Sequence, residues 1–107
     1  MNNNDYGVVL VTASNISEAE TIAKTLVEEQ LVACVNFYPI TSVYRWRGEI
    51  CQDSEYQLII KTDLGLFDRL EKRIKELHSY DVPEIIALPM IKSSQLYIDW
   101  MRENLIL

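Results

Sequence analysis

One long extended stretch, broken by a single tight turn, limits this chain more than any other feature. Leu31 to Tyr38 has strand character, Thr41 to Trp46 alternates in polarity, and Arg47-Gly48-Glu49 then offers a turn. Ile50 to Thr62 runs extended again, with Tyr56, Leu58 and Ile60 on one side and Gln57, Ile59 and Lys61 on the other. The two arms make one long hairpin, with a bend expected at Pro39. Tyr38, Tyr44, Trp46 and Tyr56 give it more aromatic surface than two helices can cover, so the ribbon requires a neighbour.

Helical patterns flank the hairpin. Val8 to Thr12 is a short β-branched run suited to a central strand buried on both faces. Ser17 with Glu20 has capping-box spacing, and Ile16, Ala19, Ile22, Ala23, Leu26 and Val27 recur at helical period to a stop near Gln30. Beyond the hairpin, Thr62 or Asp63 can cap a second helix with Leu66, Phe67, Leu70, Ile74 and Leu77 as its apolar stripe, and His78 falls at its end. Val82 to Met90, with Pro83 and Pro89 near its ends, reads as a fourth strand. Ser93 or Ser94 then caps a last helix carrying Leu96, Tyr97, Trp100 and Met101. The order βαββαβ followed by a helix predicts an α/β (α+β) ferredoxin-like fold: a four-stranded antiparallel sheet, two helices on one face and an extra C-terminal helix.

With 107 residues and no Pro/Gly/Ser-rich divider, residues 1–107 read as a single domain, the polar residues 1–5 being expected to be disordered. A chain this short leaves much surface exposed, so self-association is a natural source of further burial. The net charge of −6 and the scattered ten basic residues argue against nucleic acid and leave cations as compatible partners. The start lacks the regions of a signal peptide, and no apolar run is long enough to span a bilayer; a cytoplasmic protein is expected. Cys34 and Cys51 lack CxxC spacing and read as reduced thiols.

Several segments resemble the CutA family of divalent cation tolerance proteins: Leu31-Val32-Ala33-Cys34-Val35-Asn36, Thr41-Ser42-Val43-Tyr44-Arg45-Trp46-Arg47-Gly48, Lys61-Thr62, and Glu76-Leu77-His78-Ser79-Tyr80-Asp81-Val82-Pro83-Glu84-Ile85, with Tyr97 and Trp100. The resemblance implies a homotrimer of ferredoxin-like subunits whose hairpins pair between chains, similar in architecture to PII-type trimers. It also implies a role in tolerance of divalent cations, with copper binding in some members. In members with attributed copper ligands, a Cys in the first strand acts with a His-His pair. This chain has Val11 and Leu77 at the corresponding places and keeps only His78.

The candidate site is a cleft around Cys34, Trp46, Lys61, His78, Tyr80 and Glu84. His78 and Cys34 are the candidate soft-metal ligands for copper or another divalent cation. His78 equally suits a helix C-terminus and Cys34 a packed thiol. Trp46, Lys61, Tyr80 and Glu84 suit a small-molecule pocket between subunits or, with Lys61 paired to Glu84, a structural contact. There is no GxGxxG, P-loop, nucleophile elbow or HExxH, and a Cys34–His78 dyad lacks an orienting third group, so a nonenzymatic protein is expected. The alternative is a PII-like regulatory scaffold that binds a metabolite or protein at the cleft.

Overall fold

The hairpin is an unbroken ladder. In the computed structural model, which describes residues 5–106, β2 (Cys34–Trp46) pairs antiparallel with β3 (Glu49–Asp63) along its whole length. Residues 1–4, and most of what was expected of the polar start, lie outside the described residues. Arg47 and Gly48 connect the arms with positive φ at both positions, as a two-residue turn that follows the strand twist requires. Pro39 makes no bend and sits opposite Tyr56 in register. The strand order is β2-β3-β1-β4, which leaves β2 at an edge, where a residue lacking an N–H is tolerated.

β1 (Tyr6–Ala13) runs between β3 and the short β4 (Ile86–Pro89), antiparallel to both. Val9 and Val11 of β1 with Leu58 and Ile60 of β3 point to one face. There they meet Ala19, Ile22 and Leu26 of α1 (Ile16–Glu28) and Leu70 and Ile74 of α2 (Phe67–Leu77), all fully buried. Val8, Leu10 and Ile59 take the opposite face and are only half-buried, while Ile86 and Leu88 of β4 are exposed. β1 is therefore central, as its composition predicts, but only one of its faces is covered by helices.

A second cluster closes one end of the open face. Ile98 and Met101 of α3 (Gln95–Glu103) pack with Tyr6, Ala33, Leu66 and Leu105. The apolar stripe expected of this helix is thus displaced: Met101 and Tyr97 turn inward, whereas Leu96 and Trp100 are exposed. The expected fourth strand also shrinks, because residues 82–85 leave the sheet. Side chains of His78 and Glu84 tie this stretch to Thr12 and Gln57 instead of letting it continue the ladder beside β1.

Local signals fix the helix ends. The cap of α1 is Asn15, whose side chain accepts from the Glu18 N–H at 2.9 Å, two residues earlier than the Ser17–Glu20 spacing suggests. Glu18 reaches back to the Ser14 N–H at 2.9 Å, and its other oxygen accepts from the Ser79 N–H at 2.9 Å, joining α1 to the segment after α2. Partial burial opposes ionisation of Glu18, but the bonds from Ser14 and Ser79 outweigh it and hold the carboxyl below its ordinary range. At the other end Gln30 adopts φ of 59°, and the Gln30 and Leu31 N–H groups close on Val27 and Leu26 in a Schellman arrangement. Asp63 caps the 3-10 turn Leu64–Leu66 that precedes α2, and Ser94 caps α3.

Gly7, where β1 is flanked by Thr62 and Pro89, has no room for a side chain. A Cβ there would lie 2.5 Å from the Leu88 carbonyl oxygen and 2.7 Å from a Leu64 methyl. Gly7→Ala is therefore expected to lower stability by about 1–3 kcal/mol in urea unfolding. An unchanged midpoint would show that β4 moves aside freely.

Glu18 makes a pH-dependent prediction. Its lowered folded-state pKa gives stability that is present above the unfolded value, near 4.3, and is lost as pH falls through the folded value. Relative to wild type, Glu18→Gln should cost up to about 1 kcal/mol at pH 7. The two proteins should converge toward pH 3; a gap that persists there would mean that packing, not charge, is lost.

Candidate functional site: a cleft beside the hairpin

The sheet face opposite α1 and α2 carries a cavity of about 770 Å³ between the ribbon and residues 80–84. Strand alternation brings Tyr44 and Trp46 of β2 and Glu55 of β3 to this side. Tyr80 and Glu84 stand on the facing segment, and Thr12 at the end of β1 lies between.

His78 holds that segment in place. Its Nε2 lies 2.6 Å from the Thr12 carbonyl oxygen, to which it donates, and its Nδ1 accepts from the Tyr80 N–H at 3.0 Å. These partners assign the Nε2–H tautomer. The ring also packs against Tyr80, with centroids 4.8 Å apart. Tyr80 in turn donates its hydroxyl to Glu55 at 2.7 Å. Burial first, then the Glu55 carboxylate, push the Tyr80 phenol well above its ordinary value, so it is a neutral donor at physiological pH. On the ribbon, Tyr44 donates to Asp53, and chiefly through that bond its phenol is pushed up to about 12.

Of the residues expected to share a cleft, Trp46, Tyr80 and Glu84 do so, and His78 stands behind Tyr80 as its support. Cys34 and Lys61 do not. They pair across β2 and β3 beside Val8, four residues along β1 from Thr12, or about 13 Å away. Lys61 donates to Asn36, whose side-chain oxygen also lies 3.8 Å from the Cys34 sulfur. Glu84 accepts from Gln57 at 3.3 Å, so the imagined Lys61–Glu84 pair is not formed.

This separation bears on metals. Both ring nitrogens of His78 are engaged, Cys34 stands far from it, and among the described residues no group of three His, Cys, Asp or Glu side chains converges to hold an ion. Within one chain the donors do not fit a copper site.

Glu55 is the residue that sequence reasoning missed. It is only 8% exposed and faces the cleft. The alternation that puts Gln57, Ile59 and Lys61 on one face, carried back two places, would have found it.

Comparison with known proteins agrees with this architecture. A family model described as CutA1 divalent ion tolerance protein matches residues 7–104. The divalent-cation tolerance protein CutA of Thermus thermophilus is 52% identical over 98 residues, covering 91% of this chain and 95% of that protein. The chloroplastic protein CutA of Arabidopsis thaliana is 44% identical over 91% of this chain, which spans about half of that relative, 54% of its length. The solved structure of the Thermus thermophilus divalent cation tolerance protein superposes with a TM-score of 0.90 at 50% identity, covering 94% of this chain and 98% of that one. With nearly the whole fold inside the matched span, the chain belongs to the CutA1 divalent ion tolerance family.

Proposed function

We propose that the chain acts as a homotrimer of nonenzymatic, single-domain subunits in the response to divalent cations, the role carried by its relatives' names. The observation that supports this most is the surface that one chain leaves bare. From Ile40↔Glu55 to Trp46↔Glu49 the hairpin runs on past the end of β1 as two strands alone. Val43 is 65% and Ile50 72% exposed on one side of this ribbon, and Tyr44 and Trp46 are exposed on the other. An isolated ribbon of this kind is marginal in water.

The two open edges, β2 and β4, lie at opposite ends of the sheet and are different surfaces. A contact between the ribbon of one copy and the β4 side of the next is heterologous, so it gives a ring where the rotation closes and not a two-fold dimer. Ile86 and Leu88 on β4 supply an apolar counterpart for the ribbon. Closure at three subunits is what the family resemblance implies.

Copper is the cation that the resemblance brings, but His78 and Cys34 are not a ligand pair in one chain, and no step is assigned to a bound metal. The same separation leaves no Cys34–His78 nucleophile and base, which supports the nonenzymatic reading. A second reading, a scaffold that binds a small molecule, is favoured by the cleft itself, whose volume lies in the usual range for such sites.

Light scattering tests the assembly. The wild-type mass should be three times that of the chain, and Ile50→Asp, on the ribbon but outside the residues that line the cleft, should release smaller species. A monomeric wild type at micromolar concentration would overturn the proposal. In calorimetric titration with Cu(II), His78→Ala should leave the binding isotherm unchanged; a stoichiometric site lost with the imidazole would make His78 a ligand.

A further inference from the structure

The cleft has a chemical character that points to one class of ligand. Its walls combine the rings of Tyr44, Trp46 and Tyr80 with the acids Glu55, Asp81 and Glu84, and among the described residues no Lys or Arg lines it. Aromatic faces and carboxylates together attract positive charge and repel anions. The Trp46 ring already takes a cation on the chain itself, with the Arg47 guanidinium carbon 5.7 Å from the ring centroid.

The independent observation is Glu55. As a residue it is more than nine-tenths buried, its side chain lines the cleft, and one carboxylate oxygen accepts from Tyr80. The other oxygen takes no hydrogen bond from the described residues and is open to the cleft, where it is free to accept from a bound donor. Tyr80 cannot supply a second proton, and Gln57, the nearest amide donor on the same strand face, gives its hydrogens to Val11 and Glu84. A bare metal ion is a poor fit, because the volume is far larger than one ion and the acids do not converge.

We propose that the cleft binds a small organic cation bearing N–H donors, of the alkylguanidinium or alkylammonium class. The charged head donates to the free oxygen of Glu55, and the planar or alkyl part lies against the Trp46 and Tyr44 rings. This deepens the small-molecule reading of the cleft and does not depend on the metal-tolerance reading. His78 is a positioning residue here, acting through Tyr80.

The test is a titration of the assembled protein with butylguanidinium and, separately, with butylurea, its neutral analogue of the same shape, followed by calorimetry and by tryptophan fluorescence. Butylguanidinium should saturate one site per chain and quench or shift Trp46 emission, while butylurea should bind at least about tenfold more weakly. Glu55→Gln should weaken butylguanidinium about tenfold and narrow its lead over butylurea. Trp46→Leu should weaken it about threefold or more. Thermal unfolding checks that each variant is folded; should Glu55→Gln fail to fold, Glu84→Gln carries the charge test, with the same direction of change. Equal binding of the two probes would overturn the cationic class while leaving the cleft a small-molecule site. Binding of neither probe would overturn both.

Discussion

The ladder between β2 and β3 sets the terms for the rest of the molecule. It is the longest pairing in the structure, and only its first half is backed by β1, whose last pair is Ala13↔Tyr56. Up to that point the helices α1 and α2 bury one face of the sheet. Past it, the outer side of the ribbon carries exposed aliphatic side chains, Val43 and Ile50, and the molecule reaches 45 Å in length against 25 and 22 Å across. A fold that spends so many residues on an unsupported ribbon makes sense when a neighbouring copy completes it, because subunit folding and association then stabilise each other. The proposed trimer and the heterologous contact between ribbon and β4 follow from that single imbalance.

The cleft follows from the same geometry. The ribbon overshoots β1, so its inner face looks onto the segment after α2 and not onto a third strand. Two acids keep the segment in place from different directions: Glu18, from the first turn of α1, receives the Ser79 N–H, and Glu55, from β3, receives the Tyr80 hydroxyl. His78 adds the link to β1 through the Thr12 carbonyl. Each of these contacts joins residues far apart in sequence, so the cleft forms only when sheet, α1 and the end of α2 are all in register. Tyr80 and Glu84 are consequently held as a rigid wall, a condition for selective binding at modest affinity.

Much of the fold was legible in the chain because local chemistry and global topology agree. The hairpin showed in its alternation and in Arg47-Gly48, the helices in the spacing of Ile22, Leu26, Leu70 and Ile74, and the family in the segments around Cys34, Trp46 and His78. The errors arose where a tertiary contact outweighed a local preference. Pro39 suggested a bend, but at an edge strand its missing N–H costs nothing. Val82 to Ile85 looked extended, but side-chain bonds to Thr12 and Gln57 draw the segment off the sheet. Lys61 and Glu84 looked like a natural pair, yet register puts Lys61 beside Asn36 and Glu84 beside Gln57. Cys34 and His78 could be imagined together only until the strand register set Cys34 level with Val8 and His78 against Thr12, about 13 Å further along β1.

The central claim is that the free edges and the bare ribbon are covered by another copy of the chain. Residue-resolved hydrogen exchange on the native protein tests it directly, at the amides of β2 and β4 that make no bond to β3 or β1 within the chain. The account predicts that these outward amides exchange as slowly as those of the β1–β3 ladder, because a second copy accepts their hydrogen bonds. Fast exchange at both edges, beside a protected β1–β3 ladder, would contradict it.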